Sequence, residues 1–180
     1  MERKDHPSLS SFLSKNAIIL SSQERRAFID KCPSLVEKKG STLPGTGDGL
    51  FAKVDMKGFT MIPYIGEFID EKAVEEYRSI GSPRDSYLCY DYETSIYYDG
   101  YPFLSTPNAA HSNHASPDMA DFEREDCWGR QNGSLHFYSQ LCIWVILTLR
   151  EIKAGEEILI NYGKGYFKGR PGLKEVILGQ

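Results

Sequence analysis

The run Leu149-Arg150-Glu151-Ile152-Lys153-Ala154-Gly155-Glu156-Glu157-Ile158-Leu159-Ile160-Asn161-Tyr162-Gly163 decides how the chain is read. Alone it predicts a turn around Gly155 and then a buried strand from Glu156 through Tyr162, since the apolar residues are consecutive rather than spaced for a helix. Working back from it, residues 134–149 predict one long buried strand, and Tyr87–Tyr98 is a tyrosine-rich, β-prone run. Residues 99–118 lie between them with almost no periodicity and predict a loop. Earlier come shorter strand-like pieces, Thr60-Met61-Ile62 and Tyr64-Ile65-Gly66-Glu67-Phe68-Ile69, broken by Gly58 and Pro63. Asp70 is placed to cap a helix running to about Ile80, with Ala73, Val74, Tyr77 and Ile80 on its apolar face. Leu35-Val36 and Leu50-Phe51-Ala52 flank a glycine-rich turn, Pro44-Gly45-Thr46-Gly47-Asp48-Gly49.

The N-terminal region has a different character. Ser21-Ser22-Gln23-Glu24 resembles a capping box, Ala27, Phe28 and Ile29 give the next turns an apolar side, and Pro33 is expected to end that helix. The expected organisation is therefore a peripheral helical segment over 1–33, a main domain over 34–167 and a short tail over 168–180. Short strands with few helices, and no regular βαβ alternation, predict a mainly β fold.

Composition narrows the function classes. With 180 residues, 41% hydrophobic, the chain can bury one core without staples. A net charge of −4 argues against a protein that coats nucleic acid, and no direct nucleic-acid binding is expected. The longest apolar run, Leu141-Cys142-Ile143-Trp144-Val145-Ile146-Leu147, is far below the roughly 20 residues that span a bilayer. Met1–Pro7 is charged and lacks an apolar core, and the four cysteines form no CxxC pair. Both point to free thiols in a reducing, intracellular compartment.

Three motifs have everyday explanations. Gly47-Asp48-Gly49-Leu50-Phe51-Ala52, with Glu67 twenty residues on, outlines a dinucleotide fingerprint, but Val54–Thr60 is β-branched and glycine-broken where a helix should open. His111 and His114, with Asp118, Asp121 and Cys127 downstream, could gather zinc, yet they lie in predicted loop and no second ligand pair has the right spacing. No metal is expected. Asn132-Gly133-Ser134 matches a glycosylation sequon and reads as a turn.

Each block is ordinary taken alone; their order is not. Gly47-x-Gly49-Leu50-Phe51-Ala52, Lys57-Gly58, Tyr64-x-Gly66-Glu67, Tyr98-Asp99-Gly100, Asn108-Ala109, Asn113-His114, the Leu149–Glu157 run and Asn161-Tyr162-Gly163 together resemble the SET-domain protein lysine methyltransferases. The resemblance extends over about residues 35–167.

It implies small curved β-sheets around a pseudoknot through which the C-terminal segment passes. It also implies S-adenosylmethionine in one pocket, with the lysine arriving from the opposite side. By resemblance, Gly47, Asp48, Gly49 and Leu50 lie against the cofactor, and Asn113 and His114 hold its amino and adenine groups. Tyr162 matches the tyrosine treated as catalytic, and Tyr87 stands where the family places a tyrosine near cofactor or channel. Ile160, Tyr98 and Tyr166 are the expected channel residues. The family's cysteine-rich zinc segment is not found after Tyr162, so Phe167 or Tyr166 is expected over the adenine, or a partner chain completes the site. The chemistry suits these residue types: methyl transfer to an amine depends on alignment, and a dry aromatic channel favours neutral lysine.

The sequence departs from the family pattern at three places. Ala115-Ser116-Pro117-Asp118 replaces the longer cysteine-bearing continuation after the Asn-His pair, and Asn161 replaces the usual aspartate. Ile160 replaces the aromatic that often limits the number of methyls, which favours more than one. Asp118–Asp126 carries five acids against one base, suited to a basic, histone-like tail. The competing reading is a catalytically idle SET fold that binds a peptide or partner.

Overall fold

The computed structural model describes residues 22–43, 46–91, 96–114, 130–138 and 142–162. Among these, ten short strands form four small sheets, with three short α-helices beside them. No helix among the described residues is long and apolar enough to cross a membrane.

Two helices open the described chain, α1 (Ser22–Asp30) and α2 (Cys32–Leu35). Pro33 does not end a helix as expected; it sits in the first turn of α2, where a missing N–H costs nothing. The described part of this segment touches the core. Phe28 and Ile29 pack against Ile143 and Val145, and Cys32 is fully buried with its thiol directed at the Pro107 carbonyl, 3.4 Å away. Ser21, the expected cap, lies outside the described residues.

The hairpin β1 (Val36–Gly40) and β2 (Asp48–Ala52) pairs antiparallel, with Lys39 opposite Gly49. β3 (Met61–Tyr64) continues through Pro63, which was expected to break it, because β3 pairs with only one neighbour, β9 (Ile143–Thr148). β8 (Gly133–Tyr138) pairs with the other side of β9. The single long strand expected over 134–149 is thus two strands of a hairpin. Cys142, at φ +49°, occupies the reversal, and its side chain gives no sequence signal for a turn.

The third sheet holds β4 (Glu67–Ile69), β6 (Ile96–Asp99) and β5 (Leu88–Asp91) in that order. Between β4 and β5 runs α3 (Glu71–Ser79), whose first turn is closed by Asp70 accepting from Ala73 N at 2.8 Å. Val74 of its apolar face is fully buried, but Ile80 is 71% exposed, because the helix has ended before it. A 3₁₀ turn over Pro83–Tyr87 links α3 to β5.

Two glycines interlock β4 and β6. A Cβ at Gly66 would lie 2.6 Å from the Asp99 carbonyl and 2.7 Å from the Tyr98 ring. At Gly100 it would lie 2.7 Å from the Tyr64 hydroxyl. Tyr64-x-Gly66 and Tyr98-Asp99-Gly100 therefore form one packing unit, each tyrosine covering the other motif's glycine.

The last sheet is the smallest and matters most for the site. β7 (Asn113–His114) and β10 (Leu159–Ile160) run parallel, Asn113 opposite Leu159 and His114 opposite Ile160. Beyond β10, the strand expected over 156–162 makes only isolated contacts: Ala52 N donates to Glu156 O at 3.0 Å and Ile158 N to Leu50 O at 2.7 Å. Residues 156–160 thus lie between β2 on one side and β7 on the other, bringing together segments more than 60 positions apart. One apolar cluster unites these sheets, including Val36, Leu50, Ile62, Tyr64, Tyr98, Ile146, Ile158 and Ile160.

Candidate functional site

Tyr162 follows β10 by one residue after Ile160, and its half-buried side chain packs on the core. Its hydroxyl donates to the Ser112 carbonyl at 2.6 Å. Ser112 immediately precedes β7, so the bond joins the tyrosine to the start of the Asn113-His114 strand, which β10 already pairs from the side. Ser112 is itself fixed, its hydroxyl donating to Ala109 O at 2.8 Å. Two residues 50 positions apart are thereby held in one geometry by a strand pair and a hydrogen bond.

The loop leading to this strand is pinned rather than loose. Asn108 is fully buried; its carbonyl oxygen accepts from Ala110 N (2.9 Å) and Ile65 N (3.3 Å), and its amide donates to Thr106 O (2.8 Å) and Phe103 O (3.2 Å). Every polar group of that side chain has a partner, which rigidifies the approach to Asn113. His111, also buried, lies with Nε2 3.1 Å from Leu104 O and Nδ1 3.3 Å from Asn108 O. Burial pushes its pKa below the usual 6.5. A neutral ring has one N–H, so it donates to one of these two carbonyls, the tautomer deciding which. Among the described residues no group of three metal-ligating side chains occurs.

The glycine turn leads into β2, against which residues 156–158 lie. Gly47 adopts φ +76°, and a Cβ there would meet no atom within 4 Å. The left-handed backbone calls for glycine, and the open space lets backbone approach a ligand. Asp48 pairs with Lys38 at 3.2 Å, and Gly49 is buried within β2. The Leu50 side chain is fully buried in the core, and its carbonyl accepts from Ile158 N at 2.7 Å.

Tyr87 ends the 3₁₀ turn, half-buried, with its ring 5.6 Å from that of Tyr101. Its carbonyl accepts from Tyr64 Oη at 2.7 Å and Gly100 N at 3.1 Å. Burial raises the phenol pKa of Tyr87 and, further, that of Tyr64, which also feels Tyr162 nearby. These groups stay neutral hydroxyls in a poorly solvated place.

The remaining expected residues fare differently. Tyr98 is fully buried, edge-on to Phe68 at 5.0 Å. Ile160 is 2% exposed and packs toward Gly133. The side chains of Asn113 and His114, together with Tyr166, Phe167, Cys127, the acidic run 118–126 and the tail 168–180, lie outside the described residues.

Sequence reasoning missed two polar anchors. Asn132, read as a turn, is 1% exposed: its amide donates to Glu157 O (2.8 Å) and its side-chain oxygen accepts from Leu159 N (2.8 Å). A side chain so enclosed is closed to glycosylation. Glu157 accepts from Ser41 Oγ at 2.6 Å and Thr42 N at 2.8 Å, tying the site's last segment to the β1–β2 turn. No local pattern marks either residue, because every partner is distant in sequence.

A family model described as the SET domain matches residues 47–163. Among similar solved structures is the polycomb repressive complex 2 of Chaetomium thermophilum, 25% identical with a TM-score of 0.51, covering 72% of this chain and 15% of that one. The same complex in an autoinhibited conformation bound to S-adenosylmethionine is 24% identical with a TM-score of 0.52, covering 80% and 16%. An active polycomb repressive complex 2 in the stimulated state is 23% identical with a TM-score of 0.52, covering 79% and 17%. This chain matches only about a sixth of the length of those chains. No curated protein sequence matches.

Proposed function

The chain belongs to the SET-domain family, and on that footing we propose that it methylates lysine side chains of a protein, a histone first and a non-histone protein second. The family's cofactor is S-adenosylmethionine. The observation that carries the proposal is the 2.6 Å bond from Tyr162 Oη to Ser112 O, beside the parallel β7–β10 pair.

When bound, S-adenosylmethionine supplies an activated methyl on a positively charged sulfur. The backbone of Gly47–Gly49 and the Asn113-His114 strand would hold it, and the open left-handed turn at Gly47 fits that task. Tyr162 donates its O–H in a hydrogen bond to the Ser112 carbonyl, so toward the site its oxygen acts as an acceptor. A lone pair fixed in place stabilises partial positive charge without reorganising during reaction. Tyr162 is thus an electrostatic and orienting group, not a strong base. The lysine, whose ordinary pKa is about 10.4, must arrive neutral. The desolvation that raises Tyr64 and Tyr87 lowers a lysine's pKa in the same place, favouring the neutral amine.

Several finer features belong to the same proposal. Asn113, His114 and Phe167 contact the cofactor, Tyr87 and Tyr166 line the lysine's path, and the isoleucine at 160 permits more than one methyl. The domain proper occupies about 34–167. The acidic run 118–126 favours a basic peptide, and the likeness to a multi-subunit complex favours a partner chain and a nuclear setting.

The test is incubation with labelled S-adenosylmethionine and core histones, beside Tyr162→Phe. Label on lysine that disappears in the variant is expected. Cofactor binding with no transfer to histones or to a cell lysate would favour an idle, binding-only fold, and no cofactor binding would overturn the reading.

A further inference from the structure

Tyr87 and Tyr101 form a ring pair whose outer member reaches the surface. Tyr162 lies near Tyr64, Tyr64 donates to the Tyr87 carbonyl at 2.7 Å, and the Tyr87 ring faces Tyr101, which is 38% exposed. What holds this pair in place is an ion cluster that nothing in the methyl-transfer chemistry uses. Asp99 is fully buried at the end of β6. Its Oδ2 accepts from Arg84 Nε at 2.7 Å, and its Oδ1 accepts from Tyr101 N at 2.8 Å. Arg84 stands three residues before Tyr87 in the same 3₁₀ turn and also reaches Glu67 of β4 at 3.2 Å. Its guanidinium lies over the Tyr77 ring of α3, 4.6 Å from the centroid. One arginine therefore gathers a helix, two strands and the turn, while the carboxylate it binds fixes the backbone of Tyr101.

We propose that Arg84 and Asp99 are positioning residues that hold the Tyr87–Tyr101 ring pair as the wall against which the substrate peptide is laid. The inference rests on the lysine-methylation reading. Its physical basis is that a buried carboxylate bridged by a forked guanidinium fixes direction as well as distance, which a lysine in the same place does not. Tyr101, the exposed member, meets the peptide, and Tyr87 meets the entering side chain.

The experiment compares wild type, Arg84→Met, Arg84→Lys and Tyr101→Ala. Turnover is measured on a synthetic basic peptide with a single lysine among arginine and alanine residues, and ring-to-ring nuclear Overhauser contacts are followed in tyrosine-labelled protein. Arg84→Met is expected to lose the Tyr87–Tyr101 ring contact and to raise the peptide KM about tenfold, with kcat within about threefold and cofactor affinity unchanged. Tyr101→Ala should raise the same KM, and Arg84→Lys should fall between wild type and Arg84→Met. Persistence of the ring contact in Arg84→Met, or a fall in kcat at unchanged KM, overturns the positioning role. Wild type that binds cofactor but transfers nothing overturns the methylation reading instead, a result distinct from an active wild type matched by Arg84→Met. Arg84→Lys, which keeps the charge beside Asp99, serves should Arg84→Met fail to fold.

Discussion

The hydroxyl of Tyr162 and the carbonyl of Ser112 meet at 2.6 Å, although 50 residues separate them. The bond engages the tyrosine's only donor, so toward the site its oxygen can act as an acceptor. Removing the hydroxyl should therefore affect chemistry far more than folding. Tyr162→Phe is expected to lower kcat/KM by about 100-fold or more, the range for deleting one preorganised electrostatic group. Stability should fall by only about 1 kcal/mol, the usual net worth of one hydrogen bond. Single-turnover transfer, cofactor titration and urea denaturation on the same preparation check this. A variant that is inactive because it is unfolded would contradict it.

The glycine interlock yields a prediction about stability. At Gly66 the nearest obstacle to a methyl is backbone, the Asp99 carbonyl at 2.6 Å, and at Gly100 it is the Tyr64 ring and hydroxyl. Backbone in a paired strand cannot step aside, and moving Tyr64 breaks its bond to the Tyr87 carbonyl. Gly66→Ala and Gly100→Ala should each cost about 3 kcal/mol or more, at or above the upper end of ordinary overpacking. Gly47→Ala differs in kind: the space is open, so only the left-handed backbone is penalised, at about 1 kcal/mol. Denaturation midpoints for the three variants should separate into these two classes.

These contrasts show why parts of the fold were legible and parts were not. Asp70 and the period of α3 are local, so the helix was placed within a residue at each end, except that Ile80 projects from its terminus. The hairpin β8–β9 was read as one strand because residues 138–143 hold no glycine, proline or asparagine to signal a turn, and Cys142 takes a positive φ without being glycine or asparagine. The ordered motif blocks identified the family and thus Tyr162, but no local rule reveals that β7 and β10 pair in parallel. Leu50, Tyr98 and Ile160 were assigned to the site by their motifs, and all three side chains are buried. Asn132 and Glu157 were invisible as anchors because every partner that pins them lies far away in sequence.

Asn132 is the sharper case. Its side chain satisfies Leu159 N and Glu157 O, both buried next to β10, and its own backbone exchanges hydrogen bonds with Leu159 and Leu149. Asn132→Ala leaves a donor and an acceptor without partners in a dry region, a penalty of about 2–4 kcal/mol. Because β10 carries the chain directly to Tyr162, the same change should slow methyl transfer beyond what the unfolded fraction explains. Activity per folded molecule, corrected by a denaturation curve, decides the point; a variant with wild-type specific activity and lowered stability would limit Asn132 to folding.

His111 gives the pH dependence a direction. Burial lowers its pKa in the folded protein below the 6.5 of the unfolded chain, against opposing help from the Asn108 and Leu104 carbonyls. Lys38 also disfavours the charged ring, whereas Asp48 favours it. The unfolded state therefore binds the proton first as pH falls, so the folded state loses stability on going below about pH 6.5, until His111 itself titrates. A glutamine at this position keeps an amide donor for one carbonyl but carries no charge at any pH. The stability difference between wild type and His111→Gln should consequently shrink, or change sign, between about pH 7 and pH 5. Urea midpoints taken at half-unit intervals test this, and parallel curves across that window would show that the ring's protonation is not linked to folding.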